Sequence, residues 1–119
     1  MERIQIEKFK SILSEELDRL MNQARASAKE LASEDGHEIE NLERATRQTS
    51  QDMQLRIRTR ESSLIKKVQL ALERLADGTY GDCELCGEPI SVRRLQARPV
   101  TTKCIDCKEQ EERMEALYN

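Results

Sequence analysis

Four cysteines in two matched pairs constrain this chain more than any other feature. Cys83 and Cys86 form one C-x2-C pair, Cys104 and Cys107 form the other, and seventeen residues separate the pairs. That interval falls in the window of a four-thiolate zinc site. Zinc takes four tetrahedral ligands, and a two-residue spacer lets one tight turn present both sulfurs to one ion. Gly87 directly follows Cys86 and can adopt the positive φ that such a knuckle often needs. Two disulfides, or four thiols clustered by chance, would also use the four cysteines. Matched pairs in a chain with no secretory features favour metal instead. With cysteine at all four positions, none stays open for a water nucleophile, so the zinc is expected to be structural. The segment holds few large apolar residues (Ile90, Val92, Leu95, Val100, Ile105), so metal binding is expected to supply much of its folding free energy.

The rest of the chain reads differently. Of 119 residues, 36% are charged and 3% are aromatic, which is too few aromatics for an ordinary core of this length and points to long charged helices sharing a narrow apolar seam. A net charge of −3 argues against a general nucleic-acid coat protein. No apolar run approaches the roughly 18 residues of a membrane span, and no signal-peptide core is present. The expectation is a soluble cytoplasmic protein with no membrane partner.

From about Glu2 to Ala32 the chain lacks glycine and proline and favours helix. Its apolar residues recur in steps of three and four at Ile6, Phe9, Leu13, Leu17, Leu20, Ala24, Ala28 and Leu31. Ser33 to His37 breaks the pattern, and Asp35-Gly36 signals a tight reversal. A second helix is expected from about Ile39 to Ala76. Its seam reads Leu42, Ala45, Thr49, Met53, Ile57, Leu64, Val68, Ala71 and Leu75, with Thr49 and Arg60 interrupting it, so that the middle packs less well. Asp77-Gly78 stops that helix. The spacing predicts a mainly α chain: a long antiparallel coiled-coil hairpin over 1–78 with its tip near 34–45, then a small four-cysteine zinc module with a C-terminal helix over 79–119. The last helix spans Cys104 to Tyr118, with Ile105, Met114 and Leu117 available for packing. The first helix, the hairpin base and this last helix are expected to meet around the metal.

Nothing in the chain reads as an enzyme. No nucleophile sits beside a base, no glycine-rich phosphate loop is present, and the single histidine, His37, falls in the turn as a solvated residue. Two features carry possible function. Carboxylates gather at the hairpin tip, from Glu38 to Ala45, where they either complement the helix dipole or carry acidic groups to a distant partner. Basic residues gather around the zinc segment and hairpin base: Lys66, Lys67, Arg93, Arg94, Arg98, Lys103 and Lys108. These form a solvated surface, or the arginines pack against the acidic last helix (Glu109, Glu111, Glu112), or the set binds phosphates.

The segment LIKKVQLALERLADGTYGDCELCGEPISVRRLQARPVTTKCIDCK resembles the DksA/TraR family of bacterial transcription regulators. The family pattern is carried by Gly81, Cys83, Cys86-Gly87, Ile90, Arg94-Leu95, Ala97-Arg98-Pro99, Cys104, Cys107 and Lys108, and the likeness continues more loosely through the hairpin. The resemblance implies a monomer that binds RNA polymerase without direct sequence-specific DNA contact. It implies a hairpin that enters the secondary channel, brings its tip near the catalytic centre and destabilises open promoter complexes. It also implies the alarmone ppGpp as a regulatory ligand at the polymerase interface. The residues matching the family's ppGpp set are Leu64, Lys67, Arg98 and Lys108, with Arg60 nearby. The family's tip pattern is Asp-x-x-Asp-x-Ala, and the matching positions here are Glu40, Glu43 and Ala45. Each carboxylate therefore reaches one methylene farther, on the order of 1.3 Å.

Two other readings remain open on the residues. A zinc-dependent DNA-binding module would use Arg93, Arg94 and Arg98 on phosphates, against the acidic net charge and without a basic recognition helix. A coiled-coil adaptor would occupy a partner with no activity at its tip.

Overall fold

A computed structural model of the chain describes residues 1–34 and 41–118, with side chains over 1–30 and 46–118. Four helices make up its regular structure: α1 (Arg3–Glu34), α2 (Asn41–Asp77), α3 (Val92–Ala97) and α4 (Ile105–Tyr118). The fold is the mainly α one expected, with α1 and α2 as the long coiled-coil hairpin. At 32 residues α1 is about 48 Å long. It runs through Ser33 and Glu34, past the expected break. The reversal expected at Asp35-Gly36-His37 lies outside the described residues. The chain divides into two compact units, one of residues 1–14 with 68–119 and one of residues 15–67.

The first unit holds most of the buried apolar residues: Phe9, Leu13, Val68, Ala71, Tyr80, Cys83, Ile90 and Leu95. Val68 and Leu95 are 0% exposed, and each such side chain is worth about 1.5–3 kcal/mol in burial. The rings of Phe9 and Tyr80 meet at 5.5 Å with a 51° tilt, a favourable aromatic geometry. Here α2 stops as Asp77-Gly78 predicts. Gly78 takes φ +83°, and the N–H groups of Thr79 and Tyr80 both donate to the Arg74 carbonyl, at 2.9 and 3.1 Å. The Arg74 guanidinium then donates to the carbonyls of Thr79 and Asp82, tying the helix end to the next turn.

Two elements of this unit differ from expectation. The short helix α3 is additional. Ser91 caps it, its Oγ accepting from Arg94 N–H at 3.2 Å, and it exists to bury Leu95. The final helix forms, but no residue of it is fully buried, and the apolar residues expected to pack, Ile105, Met114 and Leu117, are 51%, 49% and 79% exposed; its half-buried residues are Cys107, Lys108 and Glu111. The three apolar residues do not fall on one stripe, and the inward side of α4 is instead the one carrying Cys107, Lys108 and Glu111.

In the second unit the α1 side of the seam is as expected, with Leu20 buried and Leu17, Ala24 and Ala28 half-buried. On α2 the expected seam is displaced. Thr49, Met53 and Ile57 are exposed, Met53 at 61%, while Arg47, Gln51, Gln54, Glu61 and Ile65 are half-buried. Two stripes fan out from Leu64-Ile65, an apolar one through Ile57 and Met53 and a polar one through Glu61 and Gln54. The polar one turns inward. Among the described side chains of α1 beyond Leu20 in this unit, the half-buried ones are small (Ala24, Ser27, Ala28), leaving width that a long Gln or Glu can fill. The Ser27 hydroxyl donates to Glu61 Oε1 at 3.5 Å, while Gln54 Oε1 and Glu61 Oε2 are buried without a partner.

Candidate functional site

The two cysteine knuckles are built by backbone hydrogen bonds. In the first, Gly87 takes φ +76° so that its N–H returns to the Cys83 carbonyl at 2.9 Å. Cys83 N–H donates to Glu88 carbonyl at 2.9 Å, Ile90 N–H to Gly81 carbonyl at 2.7 Å, and Asp82 pairs with Pro89 in a single antiparallel bridge. In the second knuckle, the start of α4 aims the Cys107 N–H at Cys104 Sγ, 3.5 Å away. One strap joins the knuckles: Glu84 N–H donates to Thr102 carbonyl at 2.9 Å.

The result brings all four Sγ atoms within 4.8 Å of one another, with Cys86 and Cys104 at 3.8 Å. Tetrahedral zinc with bonds of about 2.3 Å requires sulfurs about 3.8 Å apart. The residues therefore fit one zinc, held by Cys83, Cys86, Cys104 and Cys107, with no position left for a substrate. The thiol chemistry agrees. Burial pushes the Cys83 thiol up, but hydrogen bonds from the backbone of Cys104, Cys86 and Leu85 outweigh it and bring the thiol down to about 6. Cys107 is driven well above the usual thiol range, first by its contact with Cys104 and then by that with Cys86. Four sulfurs so close cannot all shed protons without a cation among them.

The basic set divides into charges that are engaged and charges that are not. Arg94 is turned into the fold, its Nε donating to the Lys103 carbonyl at 3.0 Å. Lys103 pairs with Glu111 at 2.5 Å and lies 3.9 Å from Glu84. The hydrogen bond from Lys103 holds Glu111 below the usual carboxylate range, and the same bond raises Lys103. The acidic last helix thus engages a lysine, Lys103, where the expectation named arginines. Arg93 and Arg98 are exposed and Lys108 is half-buried, and none has an ion-pair partner among the described residues. On α2, Leu64 is half-buried and Lys66 and Lys67 are exposed. Leu64 and Lys67 belong to the second unit, Arg98 and Lys108 to the first.

Of the expected tip, Glu40 lies outside the described residues. Glu43 and Ala45 stand in the first turns of α2, but their side chains also lie outside what is described. The cap of α3 is the feature that the sequence reading missed. Its signal was present: Ser91 stands directly before the apolar Val92, and Pro99 follows shortly after Ala97.

Comparison with known proteins adds a name to this geometry. Residues 5–75 match the family profile described as the N-terminal domain of the DnaK suppressor protein DksA. Residues 78–113 match the prokaryotic dksA/traR C4-type zinc finger. The RNA polymerase-binding transcription factor DksA of Caulobacter vibrioides is 36% identical over 114 residues, covering 96% of this chain and 80% of that protein. The protein of the same name from Escherichia coli is 34% identical over 108 residues, covering 91% and 72%. The solved structure of transcription factor DksA2 from Pseudomonas aeruginosa superimposes with a TM-score of 0.91 at 37% identity, over 98% of this chain and 89% of that one. With both profiles matched in order, the four thiols gathered for one zinc and the same fold as a solved relative, the chain belongs to the DksA/TraR family of zinc-finger regulators.

Proposed function

We propose that this chain is a non-enzymatic regulator of transcription initiation that binds RNA polymerase through the secondary channel. The observation that carries the reading is the paired match, hairpin profile over 5–75 and zinc-finger profile over 78–113, shared with relatives named RNA polymerase-binding transcription factors. In this reading the hairpin brings Glu40, Glu43 and Ala45 near the catalytic centre and destabilises open promoter complexes. Zinc holds the module rigid at the hairpin base and takes no part in chemistry. Leu64, Lys67, Arg98 and Lys108 bind ppGpp, with lysines acting as point charges and arginine as a planar fork. The lack of an ion pair at Arg98 and Lys108 among the described residues supports this, because a cation already engaged, as Lys103 is, would have to break a bond to receive phosphate.

Single-round transcription from a ribosomal RNA promoter, with polymerase of the same organism, tests the proposal. The native protein is expected to inhibit, and ppGpp to strengthen the inhibition. The Glu40→Ala/Glu43→Ala variant is expected to bind polymerase yet lose inhibition. A variant that inhibits as well as the native chain would remove the tip from the mechanism and leave an adaptor that works by occupying the channel.

A further inference from the structure

We propose that Tyr80 is a positioning residue for Arg98, its phenol hydroxyl pinning the Arg98-Pro99 turn from which the guanidinium is presented to ppGpp. The inference rests on the assignment of Arg98 to the nucleotide.

Arg98 follows the last residue of α3 and leaves the helix with φ −144° and ψ 85°. Beyond it the chain has no ladder to hold it, so each polar group needs its own partner. Arg98 N–H donates to the Arg94 carbonyl at 2.9 Å, and Thr101 N–H donates to the Arg98 carbonyl at 3.1 Å. Between them stands Pro99, which has no N–H to give. Its carbonyl accepts the Tyr80 hydroxyl at 2.8 Å. On the far side the Arg94 Nε and the Thr101 hydroxyl both donate to the Lys103 carbonyl, at 3.0 and 3.2 Å. The turn is thus held at Pro99 by a side chain nineteen residues away in sequence.

The hydroxyl is separable from the packing. Tyr80 is 8% exposed and its ring rests on Phe9, and a phenylalanine ring would fill the same space. What the oxygen adds is one bond, aimed at the residue after Arg98. Burial also keeps the phenol protonated, and hence a donor, far beyond neutral pH. The Arg98 side chain is left exposed with no ion-pair partner among the described residues. A long flexible cation on a fixed backbone loses less freedom on meeting a phosphate than one on a loose loop.

The test compares the native protein, Tyr80→Phe, Arg98→Ala and the double variant as full chains with polymerase, titrating ppGpp in the transcription assay. Zinc content and inhibition without ppGpp are expected to be unchanged in Tyr80→Phe. The ppGpp concentration for half-maximal effect is expected to rise about three- to tenfold, as for one neutral hydrogen bond. The double variant is expected to respond no more weakly than Arg98→Ala alone, because Tyr80 acts only through Arg98. Amide exchange supplies a readout independent of the nucleotide: the Thr101 N–H should exchange faster in Tyr80→Phe, while the Leu95 N–H inside α3 should not. A native ppGpp response in Tyr80→Phe, alongside a lost one in Arg98→Ala, overturns the inference. So does a Tyr80→Phe protein that also loses inhibition without ppGpp, since that marks a general structural role. A full ppGpp response in Arg98→Ala removes Arg98 from the nucleotide site and the inference with it, whatever Thr101 exchange shows.

Discussion

Tyr80 packs on Phe9 and donates to Pro99, and burial pushes its phenol up to about 12, with Arg74 opposing in part. The folded value lies above the ordinary 10.0, so this group's contribution to stability is complete below pH 10.0 and is lost as pH rises through about 12. The chain has two tyrosines, so Tyr118→Phe leaves Tyr80 as the only tyrosinate signal. Its ultraviolet absorbance is expected to rise only near pH 12, together with loss of helicity by circular dichroism. A transition near the free-phenol value with the fold intact would mean that Tyr80 is not buried. At the metal, Cys104→Ser removes one of four thiolates and leaves three sulfurs without a tetrahedral partner. Zinc content is expected to fall from one per chain to near zero after a competing chelator, with a marked drop in Tm, measured by atomic absorption and calorimetry. The zinc residues were legible because their spacing is itself the geometry of a knuckle. The roles of Arg94 and Lys103 were not, because neighbours distant in sequence decide whether a cation faces solvent, a carbonyl or Glu111.

The helices show the same division. On α1 the apolar repeat was unbroken and named the buried face correctly through Phe9, Leu13 and Leu20. On α2 two stripes competed, and the more apolar one was not the one that packs. Replacing the half-buried Gln54, whose Oε1 is buried without a partner, by Gln54→Leu is expected to raise the unfolding free energy by about 1–2 kcal/mol in urea. Met53→Gln, at a side chain 61% exposed, is expected to stay within about 0.5 kcal/mol of native. If Met53 faced the seam instead, the second change would cost about as much as other core losses, 2 kcal/mol or more. Helix α3 escaped notice because six residues are too few to show a period, so only its Ser91 cap could announce it. Helix α4 was bounded to within one residue, but its inward side is Cys107, Lys108 and Glu111 rather than Ile105, Met114 and Leu117, since helix propensity is local and burial is not.

For the molecule as a whole, zinc is expected to govern one compact unit more than the other. The unit of residues 1–14 and 68–119 carries all four thiols and most of the described buried apolar residues, while residues 15–67 contain no cysteine. Stripping zinc with a strong chelator is expected to speed amide exchange across Asp82 to Lys108 by orders of magnitude. Residues 15–67 should change far less, as followed by mass spectrometry. Equal loss of protection throughout would mean that the hairpin cannot hold without the metal.

The residue pattern alone determines the helical hairpin, its glycine stop and the four-thiolate site, because helical period, a left-handed glycine and C-x2-C spacing are local properties of a chain. Tertiary structure alone decides which stripe of α2 turns inward, which cations are spent on internal bonds, and that Tyr80 reaches Pro99. Each of those depends on what a second segment presents at contact distance, and no single stretch of sequence contains that.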